Sequence, residues 1–170
     1  MQTYLGMDPH QAYIGYVSVT TTSAPLGTVI GGLITSCVGG YKSPLALPLT
    51  LIFGVLAFSF GFPIPYIKNP NVFAVFMWLQ LFFGSCVLPA ITGIMISAAP
   101  KSHRAVANSV AYISYNMLGY VPAPYLYGVL TKMGEEDGKS NYGCIMLMSM
   151  GVFSVIFISL AVFFQRDDLI

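Results

Sequence analysis

Apolar residues run almost unbroken through five stretches of this chain, residues 12–37, 45–67, 72–99, 106–131 and 143–164. Every charged side chain falls between or outside them. A helix crossing the hydrocarbon core of a bilayer needs about 20 such residues, and a charge at its centre costs at least ~2.5 kcal/mol. The segregation therefore predicts five membrane helices. A closed β-barrel also spans lipid, but its strands would alternate over segments of roughly ten residues. These runs are longer and continuously apolar.

The junctions support the same division. Gly39-Gly40-Tyr41-Lys42-Ser43-Pro44, Lys68-Asn69-Pro70-Asn71 and Pro100-Lys101-Ser102-His103-Arg104 are short and rich in turn-formers. Short connections force neighbouring helices to run antiparallel. Only residues 132–142, with Glu135, Glu136 and Asp137, predict a longer exposed loop. The expectation is an all-α, polytopic membrane helical bundle of about five transmembrane helices in one membrane domain. Five crossings put the termini on opposite sides. With the 39–44 loop cytoplasmic, that side holds Lys42, Lys101, Arg104 and Arg166, against Lys68, Lys132 and Lys139 opposite. The positive-inside rule favours this orientation by a single charge.

Composition changes the picture by exclusion. The chain is 56% hydrophobic and 8% charged, where soluble chains carry roughly 25% charged residues. A net charge of +1 leaves no basic footprint for nucleic acid. Cys37, Cys86 and Cys144 show no CxxC pairing and no neighbouring His, so neither a zinc site nor a disulfide framework is expected. No cationic segment precedes a short apolar core at the start, so a cleaved signal peptide is not expected.

Polar residues inside the spans carry the functional signal. In the first, Tyr16, Thr20, Ser23, Gly27 and Gly31 recur at helical spacing and share a face. Gly27-x-x-x-Gly31 admits a close backbone neighbour. Pro25 removes a donor and frees the Thr21 carbonyl, and the hydroxyls of residues 20–23 are suited to refill such a gap. This face either lines a cavity or glues two helices. In the third span Gly84, Pro89 and Gly93 interrupt the middle, with Gln80 one turn away. Such interruptions mark gating or binding segments in transporters, or simple bends.

The fourth span is the most informative. Asn108, Tyr112, Tyr115 and Gly119 form a stripe with Asn116 beside it, followed by Pro122 and Pro124. A polar stripe on a membrane helix must meet protein or water, because lipid leaves its donors unpaired. Cavity lining and interhelical hydrogen bonding both satisfy it. The second and fifth spans carry mainly Phe, Leu, Ile, Val and Met and read as peripheral and lipid-facing.

There is no Ser/His/Asp set, HExxH, P-loop or GxGxxG. His10 and His103 lie outside the spans, and no carboxylate lies within one. Neither catalysis, a metal nor a cofactor is expected, nor an acidic intramembrane ion site.

Two motifs resemble a known family. Gly31-Gly32-Leu33-Ile34-Thr35-Ser36-Cys37-Val38-Gly39-Gly40-Tyr41-Lys42 resembles the loop joining the second and third helices of each half in the major facilitator superfamily. Ser36 stands where that pattern has an Asp, and Cys37 where it often has a basic residue. Pro100-Lys101-Ser102-His103-Arg104-Ala105-Val106-Ala107-Asn108-Ser109 is similar to the link into the eleventh helix of that family. Residues 116–128, Asn-Met-Leu-Gly-Tyr-Val-Pro-Ala-Pro-Tyr-Leu-Tyr-Gly, resemble that helix in the spinster-like and organic-anion-transporter branches.

The resemblance covers nearly the whole chain. It implies helices eight to twelve of a twelve-helix transporter, a partial major-facilitator fold, with residues 1–11 closing a preceding extracellular loop. It also implies that the 39–44 and 100–104 loops are cytoplasmic and that the first, third and fourth helices line the path. The expected function is secondary transport of a small organic or lipid-like solute by an incomplete C-terminal part. Its expected partners are the bilayer, the solute and an N-terminal half. Tyr112, Tyr115 and Asn116 are the expected solute-facing residues, with Thr20 and Ser23 across the cavity. Lys42 and Arg104 are placed at the cytoplasmic gate or on lipid headgroups, and Pro89, Pro122 and Pro124 are further gating or loop positions, where the helices are locally loosened. The alternative is a non-transporting membrane subunit whose polar stripes bind partner helices.

Overall fold

The structure, a computed structural model, describes residues 8–117, 121–136 and 142–167. Gly119, residues 1–7, Lys139 and the 137–141 part of the expected long loop lie outside the described residues. Six α-helices account for nearly all the rest: α1 (Pro9–Cys37), α2 (Ala46–Gly61), α3 (Pro70–Ala98), α4 (Arg104–Tyr115), α5 (Pro122–Glu136) and α6 (Tyr142–Asp167). Short 3-10 turns at Ile64–Tyr66 and Lys101–His103 join α2 to α3 and α3 to α4. No strand occurs among the described residues.

Among the described residues, three helical segments are long and apolar enough to cross a membrane: His10–Cys37, Ala46–Tyr66 and Pro70–Ser97. Gly151–Phe164 adds a shorter apolar stretch within α6. The expected fourth span does not form one α-helix. α4 ends at Tyr115, the Asn116 carbonyl accepts from the Val121 N–H at 2.9 Å in a wide, π-type turn, and α5 starts at Pro122. Pro122 and Pro124 thus sit in the first turn of α5, where a helix needs no backbone donors.

α3 is the hub. α1 packs along one side of it, α2 along another, and α4 joins near its C-terminal end; α6 packs on α2, and α5 on α6. The α1–α3 contact is a meeting of backbones. A Cβ added at Gly31 would lie 2.5 Å from the Cys86 Cα, and one added at Gly27 would overlap the Phe82 carbonyl oxygen. Ser23, Gly27, Gly31 and Thr35, at four-residue spacing, are all buried, facing the buried Ser85, Cys86 and Ala90 of α3. The Gly-x-x-x-Gly reading of close approach holds, and its partner is α3.

Turn chemistry fixes the next connection. Gly39 and Gly40 have φ of 106° and 77°, and their N–H groups donate to the Ser36 and Thr35 carbonyls at 3.3 and 3.0 Å. This is a Schellman-type stop, which needs glycine at the left-handed position. Tyr41 then folds back so that its ring occupies the space a Cβ would need at Gly93 of α3. At the start of α3, Asn69 caps through its side chain, accepting from the Asn71 N–H at 3.0 Å, with Pro70 as the first helical residue. The α2–α3 face is aromatic: Phe60 stacks on Phe83, with centroids 5.6 Å apart, and meets the edge of Phe76.

Gly31→Ala should destabilise the bundle by about 1–3 kcal/mol through overpacking, read as a lowered midpoint of thermal unfolding in detergent. In a chain with Cys37 and Cys144 changed to Ser, the buried Cys86 should become faster to label with a maleimide. Gly15→Ala, whose new Cβ would meet nothing within 4 Å, should move neither readout. Equal behaviour of the two variants would show that the α1–α3 seam is not the contact described.

Candidate functional site

Hydroxyl groups in a bilayer have to find acceptors, and most here find them on their own helix. Thr20 donates to the Tyr16 carbonyl at 2.9 Å, Thr22 to Ser18 at 2.8 Å, Ser23 to Val19 at 2.7 Å and Thr28 to Ala24 at 2.9 Å. Donation one turn back lets a Ser or Thr sit in an apolar environment without an external partner. These hydroxyls flank Pro25, yet they serve the carbonyls of Tyr16, Ser18, Val19 and Ala24 rather than the one at Thr21.

The expected pairing of Thr20 and Ser23 with the α4 stripe is therefore not what the structure builds. Ser23 is 0% exposed, shut into the α1–α3 seam one turn from Gly27, because the small-residue face that admits α3 also carries Ser23. Thr20 is half-buried and satisfied within α1. The polar link from α1 to α3 runs instead through Thr22, whose oxygen accepts from Trp78 Nε1 at 3.0 Å. Trp78 also stacks on Phe82, with centroids 5.2 Å apart.

On α4 the stripe divides. Ala111 is buried, and Arg104, Ala107 and Tyr115 lie on the same half-buried face. Tyr115 turns inward, its hydroxyl hydrogen-bonded to Thr92 Oγ1 of α3. Asn116 donates through Nδ2 to the Tyr112 carbonyl at 2.8 Å, bracing the helix end where the π-type turn begins. Tyr112 is 67% exposed, and Asn108 is exposed one turn before it. Ser109 and Ser114, also exposed, donate to the Ala105 and Val110 carbonyls. Among the described residues, the Asn108 amide and the Tyr112 hydroxyl are polar groups on α4 that reach no partner.

The residues expected at gates lie apart from one another. Lys42 is exposed in the turn after α1, and Pro89 is half-buried in α3, across from Gly32. Arg104 opens α4 half-buried, with its Nε enclosed and unpartnered among the described residues. A cation at a helix N-terminus faces the positive end of the helix dipole, so the packing that holds Arg104 there acts against local electrostatics.

A cavity of about 410 Å³ lies elsewhere, between α2, α3 and α6. Gly54 and Gly61 of α2, Gly84 of α3 and Gly151 of α6 contribute to its walls, with Gln80 and Ser154 as polar lining. The second and fifth spans read from sequence as mostly peripheral and lipid-facing, a pattern that gives no sign of this space. Their signal was the glycines, which leave room on a helix surface wherever no neighbour fills it.

Tyr115→Phe and Thr92→Val should each lower stability by about 0.5–1.5 kcal/mol, and the double variant should fall short of their sum by roughly 0.6 kcal/mol. Unfolding of the four proteins in one detergent checks this. Full additivity would mean that the two hydroxyls are not coupled.

No family model matches the chain, and no curated protein or solved structure matches it either, so the chemistry of the site rests on its own residues.

Proposed function

We propose that this chain is the helical membrane part of a major-facilitator-type secondary transporter that moves a small organic or lipid-like solute. One observation carries the reading. Among the described residues, the Asn108 amide and the Tyr112 hydroxyl stand exposed and unpartnered on α4, while the exposed hydroxyls of Ser109 and Ser114 are satisfied within it. Leaving such groups in hydrocarbon costs about 2–7 kcal/mol each, depending on the reference medium. A membrane helix keeps them when water or a solute meets them. Tyr112 offers an aromatic face and a hydroxyl, and Asn108 both a donor and an acceptor, a set suited to a solute with an apolar body and a few polar groups.

Tyr115 and Asn116 act in this reading as positioning residues. The Thr92 bond fixes the rotation of α4 against α3, and the Asn116 bond holds the helix end at the wide turn. A π-type turn in a membrane helix is the kind of feature found at functional sites. The major-facilitator part of the proposal rests on the sequence motifs around residues 31–42 and 100–128.

A second reading is a non-transporting subunit whose α4 face binds a partner helix. The self-satisfied hydroxyls of Thr20 and Ser23 favour it, because they remove α1 from the list of groups waiting for a solute.

The two differ in water. Cysteines replacing Asn108 and Tyr112 should react with a membrane-impermeant maleimide about tenfold faster than cysteines replacing Val110 and Ile113, since only a hydrated thiol ionises to the reactive thiolate. Uniformly slow reaction at all four positions in intact membranes would sink the transport reading. Loss of a co-purifying partner in the Tyr112→Ala protein would then establish the other.

A further inference from the structure

α4 differs from the three long spans in how it distributes its residues. α1, α2 and α3 do not sort polar from apolar residues onto opposite sides, whereas α4 does. At 3.6 residues per turn, each step along it advances about 100°. Arg104, Ala107, Ala111 and Tyr115 gather on the side that packs on α3. Val106, Val110 and Ile113, all exposed, fall within about 60° of one another. Asn108, Tyr112, Ala105 and Ser109, also exposed, occupy a separate arc of about 100°.

Two exposed arcs of such different composition meet different surroundings. Valine and isoleucine suit lipid tails, and an unpartnered amide and phenol do not. Ser114, next to Val110 around the helix, donates to the Val110 carbonyl at 2.8 Å and is suited to face lipid. Ser109, on the polar arc, donates to the Ala105 carbonyl at 3.1 Å, and its oxygen keeps the capacity to accept from water.

The polar arc also has a direction. From Tyr112 it runs back through Ser109 and Asn108 to Ala105, about 10 Å along the helix. It ends where Lys101, Ser102 and His103 stand exposed. In the other direction the next polar side chain is Asn116, which is half-buried with its amide spent on the Tyr112 carbonyl. Ala105 stands between the charged end and Asn108, and there the arc carries only a methyl group.

We propose that the polar arc of α4 is the wall of a water-filled passage that opens at the Lys101–His103 end of the helix, and that Ala105 sets the width of its mouth. The proposal rests on the transport reading above. It adds the side of the membrane from which Tyr112 is reached and the residue a solute passes first. A bulky side chain at Val106 turns toward lipid and leaves the passage as it is, whereas one at Ala105 narrows it.

The full chain, with Cys37 and Cys144 changed to Ser and Cys86 buried, is reconstituted in phosphatidylcholine vesicles and treated from outside with a membrane-impermeant maleimide. Cysteines replacing Ala105 and Ser109 should react about tenfold faster than cysteines replacing Val106 and Val110, because only a hydrated thiol ionises. Each adjacent pair differs by only ~1.5 Å in depth, so the contrast reads direction around the helix. Ala105→Leu should slow labelling of a cysteine replacing Tyr112 about fivefold by excluding water from it, and Val106→Leu should leave that rate unchanged. In a chain with cysteines for both Ser102 and Tyr112, the two labels should fall predominantly on the same molecules, counted by intact mass. With Lys68 and Tyr112 replaced instead, they should fall on different molecules, since the α2–α3 turn lies at the opposite end of the bundle. Equal rates within the adjacent pairs, an Ala105→Leu protein that labels as before, or pairing of the Tyr112 label with the Lys68 label overturns the proposal. Those outcomes leave the transport reading standing if cysteines at 108 and 112 react fast, and slow reaction at both overturns the two together.

Discussion

The contact on which this structure depends is the meeting of two backbones where Gly27 and Gly31 of α1 lie against Phe82 and Cys86 of α3. Inside a bilayer there is no hydrophobic gain in bringing two apolar helices together, because lipid tails are as apolar as leucine. What remains is close packing, and packing needs surfaces without side chains. The glycines provide one such surface, and Ser85, Cys86 and Ala90 the complementary one. Each residue there is small enough for dispersion contacts to accumulate over the full length of the crossing. The hydroxyls of Ser23 and Thr35 enter the seam only because each donates to a carbonyl of its own helix.

α3 becomes the hub for the same reason that its sequence shows no polar face. A helix apolar on all sides is suited to neighbours on all sides, and this one receives α1, α2 and α4 on different faces. Its few polar groups mark the boundaries between those faces: Trp78 bonds to α1 through Thr22, and Thr92 bonds to α4 through Tyr115. Gly93 admits the Tyr41 ring, which ties the α1–α2 turn to the same helix. Rotation of α3 is thus set by several independent contacts rather than by any one.

The three helices long and apolar enough to cross a membrane were legible because charge is intolerable in hydrocarbon, so the chain had to write their boundaries in Lys and Asp. The α1–α3 seam was legible for a related reason, since Gly27 and Gly31 at four-residue spacing have few other uses in an apolar helix. The interruption after Tyr115 was not. Residues 106–131 are apolar enough to read as one run, and Pro122 within such a run fits a bend as well as a helix start. The difference lies in the backbone of Asn116 and Val121, whose bond no side-chain pattern reports. Ser23 was misplaced by a similar ambiguity: its spacing from Gly27 shows which face it shares, but not whether that face meets water or α3. The cavity between α2, α3 and α6 was not legible, because pattern along one helix cannot show where three surfaces fail to touch.

Two of the uncovered surfaces among the described residues differ in chemistry, and that difference orders what can cover them. The cavity between α2, α3 and α6 has mainly aliphatic and aromatic walls, which suit lipid tails. The α4 face cannot be treated the same way. Val106, Val110 and Ile113 are at ease in lipid, but Asn108 and Tyr112 interrupt them with groups that α4 itself does not satisfy. Thr92 and Tyr115 settle their hydroxyls on each other beneath that face, so α3 has nothing left there to offer outward. Whatever meets Asn108 and Tyr112 has to come from outside these six helices and has to hydrogen-bond. A solute in a hydrated path does so transiently and a partner helix permanently.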